Sequence, residues 1–376
     1  MGDEQLESEP VTSAASSAPS SRRKRPGWVD TFLWIVRVGA IILLIWGVAG
    51  TVVQGLSGRG PTGEAWRDLV VAGIAQGAMY GLIALGYSMV YGVLGFINFA
   101  HGEVFMSGGM VGFFVANYLW EVGLWETNFV LAILLVLLSS ILTSTLVAVI
   151  VERIAYRPLR ASPRLIPLIT SIGISFFLQY TFAGLFGVAV KNYPPPPDSL
   201  RSRISLLGLE IEGSKLLVIV VAVATMVGLY LFVEKTRTGR SIRAVAEDKE
   251  IAALMGIDVN RTIVATFAVG GAMAGVAGTL WALLFRGVSF ITGFLPGIKA
   301  FTAAVLGGIG NLPGAMAGGV LLGLFEGVGP QLVLAGFGIP GVSQLKDVVA
   351  FTALVLVLIF KPTGLFGERL SAEDRA

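Results

Sequence analysis

A polytopic bundle of membrane-spanning α-helices is the fold the sequence predicts, and three observations predict it. Apolar residues make up 55% of the 376-residue chain while charged residues reach only 14%, against roughly a quarter in soluble domains. The charges that do occur are bunched. Between the bunches lie apolar runs of about 20 residues, long enough as helices to cross a hydrocarbon core ~30 Å thick. One such run could be a buried helix of a soluble protein, but eight or more could not share one soluble core.

The runs follow in order. Residues 1–30 are rich in Ser, Ala, Glu and Pro, carry the basic cluster Arg22, Arg23, Lys24 and Arg25, and read as a disordered basic tail. No clear small-residue cleavage site follows, so the next run, Phe32–Val53, is predicted as a retained span occupying residues 31–55. Further runs lie at Leu69–Leu94, Val104–Trp120, Phe129–Val151, Leu165–Gly187, Leu216–Val233 and Thr262–Leu284. A short or broken helix is predicted near Phe301–Asn311, then runs at Gly314–Leu334 and Val348–Phe360, giving nine to ten passages. Arg153, Arg157, Arg160 and Arg164 in one loop, and Lys235, Arg237, Arg240, Arg243 and Lys249 in another, assign those loops and both termini to the cytoplasm. The opposite loops are less basic but carry Lys191, Arg201, Arg203 and Lys299. Pro194–Pro197 is predicted to stiffen the longest of them, either as a passive spacer or as a docking surface.

Composition excludes several chemistries. The chain has no cysteine and one histidine, His101, so disulfides, thiol redox chemistry and multi-histidine metal sites are ruled out. No cofactor, metal site or nucleic-acid partner is expected, because the basic residues flank spans, where orientation explains them.

Polar groups enter the apolar pattern at two places. The first reads YGVLGFINFAHGEVFMSGG from Tyr91 and carries Asn98, His101 and Glu103 among glycines. Ionisable groups beside hydrocarbon usually face a polar cavity or a partner. The stretch is therefore either the lining or gate of a passage, or a tight turn near the inner side with Glu103 at the next helix N-terminus. The second reads FLPGIKAFTAAVLGGIGNLPGAMAGG from Phe294. Here a short helix ends in glycines, Gly310 and Asn311 follow, and Pro313 suits the first turn of the next helix. Such broken helices can bind polar solutes, while Gly314, Gly318, Gly319 and Gly323 also permit close helix packing. The shared plan of the two regions hints at an internal repeat. Glu326 is a further costly carboxylate within a span.

The loop 234–261 contains a predicted short helix, Asp248 to Met255, with Asp248 as N-cap and Gly256 as the stop. Ile251, Ala252 and Met255 are placed on one face, fitted either to a partner's groove or to the chain's own bundle. No GxxxxGK[ST] phosphate loop occurs in the chain, so ATP hydrolysis by that device would need another subunit.

Four ordered motifs carry a family resemblance: GLIALGYSMVYGVLGFINFAHGE from Gly81, RAVAEDKEIAALMGI from Arg243, KAFTAAVLGGIGNLPGA from Lys299 and KPTGLFG from Lys361. Over residues 69–367 the sequence strongly resembles the permeases of branched-chain amino acid ABC importers, with the span before it lying outside. The resemblance implies a non-catalytic permease in the plasma membrane. Its implied partners are a homologous permease, two cytoplasmic ATPases and an extracytoplasmic solute-binding protein. It also implies that Glu247, Asp248, Ala252 and Gly256 form the element that couples to the ATPase. Urea and short-amide permeases share closely similar motifs and form the alternative cargo. Two rivals differ in class: an ion-coupled secondary transporter using Glu103 and Glu326, and an intramembrane enzyme using His101 with Glu103.

Overall fold

The computed structural model describes residues 28–58, 60–160, 162–163, 165–206 and 209–367. The tail up to residue 27, with its Arg22–Arg25 cluster, and Arg164 lie outside the described residues. The described chain is a helical bundle: α1 (Trp28–Leu56), α2 (Gly63–Leu94), α3 (His101–Glu121), the single turn α4 (Leu124–Thr127), α5 (Phe129–Val151) and α6 (Leu165–Phe186). The single turn α7 (Asp198–Arg201), α8 (Gly213–Lys235), α9 (Arg237–Glu247), α10 (Lys249–Leu254) and α11 (Val259–Phe285) follow. The chain closes with α12 (Phe294–Gly307), α13 (Leu312–Gly329) and α14 (Lys346–Phe360). Two two-stranded antiparallel ribbons decorate one end.

All ten apolar runs are helices. Among the described residues eight are long and apolar enough to cross a membrane; α3 is more polar, and α12, with 14 residues, spans about 21 Å and cannot cross alone. The short helix begins at Phe294 rather than near Phe301, because Lys299, expected in an outer loop, is buried within it. Its ammonium lies 2.8 Å from Glu326 and 2.6 Å from Asp347. Glu326 also accepts from Gln76 at 2.9 Å, so one network ties α2, α12, α13 and α14.

The contacts obey an exchange. α5 packs on α3 and α11, and α13 packs on α12 and α2; α6 touches α3 as α14 touches α12; α8 touches both α2 and α11. Swapping α2 with α11, α3 with α12, α5 with α13 and α6 with α14 maps these contacts onto one another. The halves run in opposite senses. The C-terminal part of α2 reaches α9, where a Cβ on Gly92 would lie 3.8 Å from Ala246, and α9 and α10 lead into the N-terminus of α11. The expected repeat therefore exists but pairs different regions: the break after α2 corresponds to the one between α11 and α12, not to the one before α13.

Glycine spacing sets the closest contacts. Gly73, Gly77 and Gly81 of α2 oppose Gly319, Gly323 and Gly327 of α13, so that a Cβ on Gly323 would lie 2.3 Å from the Gly73 carbonyl oxygen. On the other side of the exchange, Gly271 and Gly275 of α11 abut the α5 backbone at Ser144 and Ser140. Ser140 and Ser144 donate to the carbonyls of Gly108 and Val104 on α3 at 3.0 and 2.8 Å. Tail–tail apolar attraction gives little net drive inside lipid, so close backbone approach and interhelical hydrogen bonds hold such a bundle.

The polyproline stretch is no loose spacer. Pro194 and Pro196 are buried, and the Trp125 indole donates to the Pro195 carbonyl at 2.9 Å. The buried Tyr193 phenol donates to Gly109 O at 2.5 Å, and burial raises its pKa well above the ordinary value.

Replacing Gly323 by Leu is expected to destabilise the bundle by about 3 kcal/mol through overpacking against backbone, read as a lowered thermal midpoint in nanodiscs. Gly184→Leu should be neutral, since nothing lies within 4 Å of a Cβ there.

Candidate functional site

The break after α2 is re-entrant. Gly95 takes the left-handed conformation (φ 76°) and closes α2 by donating its N–H to Tyr91 O at 2.7 Å. The chain then turns back along the bundle instead of leaving it. His101 lands against Gly86, where a Cβ would lie 2.2 Å from its Nε2. Gly86 precedes Leu94 by eight residues, or about 12 Å of helix. The first turn of α3 therefore begins inside the bundle, not in a tight turn near its inner surface.

Asn98 holds this break. Its Oδ1 accepts the Ala100 N–H at 3.1 Å and the Tyr156 hydroxyl at 2.6 Å. His101 is buried, packs edge-on to Tyr87, hydrogen-bonds the Ile83 backbone and leaves Nε2 without a partner. Glu103 does stand in the first turn of α3, yet its carboxylate reaches across to the middle of α6. There Ser175 Oγ and Gln179 Nε2 donate to Oε1 at 3.2 and 2.8 Å, while Oε2 has no partner. Beside it, Gly102 meets the start of α12: a Cβ would lie 2.4 Å from Gly293 O and 3.0 Å from Gly297 Cα. The two re-entrant breaks related by the exchange thus meet at this point. His101 and Glu103 turn to different neighbours, so they form no acid–base pair.

Gly310, Asn311 and Pro313 form the second break. Gly308 and Gly310 are both left-handed, with φ 107° and 90°. The Gly310 N–H donates to Ser88 at 3.1 Å. Asn311 caps α13 by accepting the Gly314 N–H at 2.9 Å, and its amide donates to Phe366 O at 3.0 Å. Pro313 is in the first turn of α13, where its missing N–H has no intrahelical role. A cleft of about 550 Å³ opens here, lined by Tyr91, Val305, Ile309, Gly310, Asn311 and Thr363 among others.

The loop after α8 builds a rigid projection. Thr236 caps α9 by accepting the Gly239 N–H at 3.0 Å, and Gly239, Ile242 and Val245 bury one face of that helix. Asp248 caps α10 through the N–H groups of Glu250 and Ile251 at 2.8 and 2.9 Å. Gly256 follows with φ 84°. Glu247 and Asp248 are exposed, and Ala252 is buried. The shared face expected for Ile251, Ala252 and Met255 is divided. Ala252 anchors α10 inward, while Ile251, Leu254 and Met255 point outward at 60%, 86% and 78% exposure.

Two features escaped the sequence reading. Ser171, Ser175 and Gln179 form a polar stripe on α6 at a four-residue interval, with Ser171 donating to the Ile97 carbonyl at 3.3 Å. That periodicity was readable in the run itself. The partnership of Lys299 with Glu326 was not, since only tertiary packing brings them together.

Residues 69–358 match the family model described as the permease component of the branched-chain amino acid transport system. The high-affinity branched-chain amino acid transport system permease protein BraD of Pseudomonas aeruginosa is 44% identical over 301 residues, 80% of this chain and 95% of that protein. The corresponding LivH proteins of Salmonella typhimurium and Escherichia coli are each 40% identical over 302 residues, 79% of this chain and 94% of theirs. Helix α1 precedes the matched segment. With its bundle of membrane-length helices and this similarity along most of its length, the chain belongs to the branched-chain amino acid transport system permease family.

Proposed function

We propose that this chain is the membrane-embedded permease subunit of an ATP-driven importer that moves branched-chain amino acids across the plasma membrane by alternating access. The observation that carries the reading beyond family is the α9–α10 projection. It is capped, anchored between two core helices, and displays an apolar knob of Ile251, Leu254 and Met255 outside the bundle. A short apolar helix of this kind fits a groove on a partner. The partner is a cytoplasmic ATPase, two copies serving this chain and a homologous permease, with an extracytoplasmic binding protein delivering solute.

The α9 end is cytoplasmic on this reading, because it gathers the basic loops. Both described termini lie at that end: Arg37 near the start of α1 donates to Ile359 O near the end of α14 at 2.6 Å, and residues 366–367 pack on Gly308. Glu103, with Asn98 and His101, stands where the inverted halves meet and serves as the gate. Gly310, Asn311 and Pro313 border the passage toward the α9 end. Ion-coupled transport is the second reading, and with Glu326 paired to Lys299 it would have to run through Glu103 alone. Urea or a short amide would use the same fold and differs only in cargo.

In proteoliposomes holding the complete complex, leucine uptake is expected to require ATP and to ignore an imposed ion gradient. Uptake driven by the gradient alone overturns the reading, and preferential uptake of urea reassigns the cargo. Leu254→Asp is expected to lower uptake and co-purification of the ATPase at least tenfold, about the effect of one desolvated charge at an interface, while membrane insertion stays normal. Glu103→Gln keeps the side-chain shape but weakens the acceptor for Ser175 and Gln179. It is expected to cut uptake about tenfold, the scale of one charge-assisted hydrogen bond, with ATPase binding intact. Unchanged uptake removes Glu103 from the gate.

A further inference from the structure

The outward face of α5 and of the π-helical turn that follows it is an apolar stripe. Leu138, Leu142, Leu146, Ile150 and Ile154 recur every four residues, each exposed, opposite the buried stripe of Ala132, Val136, Ser140, Ser144 and Ala148. A membrane-length helix bares such a face to lipid. At the end of the stripe, on the π-helical turn Glu152–Tyr156 and just after it, Arg153 and Arg157 are both exposed, and neither makes a hydrogen bond or ion pair among the described residues. Two other arginines at this end are committed. Arg160 is bound to the buried Glu152, and Arg243 pairs with Glu234 at 2.7 Å.

Arg153 and Arg157 share a cleft of about 450 Å³ with Arg261 and Asn260 of α11. One carboxylate also lines it: Asp258, which caps α11 through the Arg261 N–H at 3.0 Å and pairs with the Arg261 guanidinium at 3.1 Å. Three guanidinium groups against one carboxylate leave two net positive charges. The remaining wall, Val264 and Ala265, is apolar. The cleft is therefore cationic at one side, apolar at the other, and continuous with a lipid-facing stripe.

We propose that this cleft is a binding site for an anionic phospholipid, with the phosphodiester held by Arg153 and Arg157 and an acyl chain laid along Val264 and the α5 stripe. Basic clusters at the ends of spans attract anionic headgroups, and a guanidinium pair grips phosphate as a fork. A zwitterionic headgroup would bring its own cation against the arginines, so phosphatidylglycerol or a doubly anionic relative is selected over phosphatidylcholine. The site braces a functional neighbour. Tyr156, on the same π-helical turn, donates to Asn98 in the re-entrant break at 2.6 Å. Lipid occupancy thus bears on the break through one short segment.

The test uses the full chain in nanodiscs and native mass spectrometry. Wild-type protein is expected to retain phosphatidylglycerol about thirtyfold better than phosphatidylcholine. The double variant Arg153→Gln with Arg157→Gln should lose that preference, whereas Arg201→Gln, at the opposite end, should keep it. Inorganic phosphate at millimolar concentration should not displace the lipid. Two results overturn the proposal: a phosphatidylglycerol preference that survives in the double variant, which with loss of ATPase co-purification assigns the cleft to a protein partner, or displacement by inorganic phosphate, which marks a small-anion site.

Discussion

Backbone against backbone is the contact on which this bundle depends. Helices that already sit in lipid gain little from burying one another's apolar side chains, so association must come from close packing and interhelical hydrogen bonds. The chain meets that condition twice, once on each side of its internal exchange. Glycines of α2 and α13 interleave at four-residue intervals, and glycines of α11 press on the α5 backbone while Ser140 and Ser144 hydrogen-bond to α3. Where α2 and α11 cross, Gly86 and Gly270 face each other, a Cβ on Gly270 falling 3.5 Å from Gly86 Cα. These contacts bring backbone close to backbone, and they fix the helices closely enough for re-entrant segments to stay inside.

That frame makes the buried polar groups tolerable. A charge in a low-dielectric interior is costly unless it is paired. Lys299, Glu326 and Asp347 satisfy the rule together, and Glu152 satisfies it with Arg160. The meeting point of the two breaks is different. Among the described residues Glu103 has no cationic partner, only the neutral donors Ser175 and Gln179, His101 Nε2 is buried without a partner, and α6 is held there chiefly through a polar stripe. Well-paired charges lock one arrangement, whereas partly satisfied ones leave room for a second, which suits a gate more than a strut.

Much of this was legible in the chain, and the rest was hidden for identifiable reasons. The ten runs became ten helices because span length is a local property. The caps of α10 were readable because Asp248 and Gly256 act on neighbours only a few residues away. The start of α12 was misjudged because Pro296 and Lys299 resemble loop residues. Proline is tolerated in a first turn, and the lysine is neutralised by carboxylates far along the chain. The outward turn of Ile251 and Met255 was not visible either, since the anchoring of α9 through Ile242 and Val245 decides which side of α10 is inward. The polar break at Asn98, His101 and Glu103 was readable as an anomaly, but not its depth, which follows from Gly95 reversing the chain.

The inverted correspondence gives the proposed transport cycle its physical basis. Two halves of opposite sense present the same set of packings to opposite ends of the bundle. If the half containing α2 and α3 can adopt the packing now held by α11 and α12, and the reverse, an opening at one end becomes an opening at the other without a new fold. The pivot must then lie where the exchange maps contacts onto themselves, and two such contacts exist: α2 with α11 at Gly86 and Gly270, and α3 with α12 at Gly102, Gly293 and Gly297. Both are glycine contacts of close backbone approach, and the polar side chains of the first break sit at them: His101 lies against Gly86, and a Cβ on Gly293 would lie 2.5 Å from Glu103 Oε2. The α9–α10 projection is joined to one partner in each half, α2 and α11. A pull on α10 therefore acts on both sides of the pivot at once, which is the mechanical requirement for a motor that sits outside the membrane and moves a gate within it.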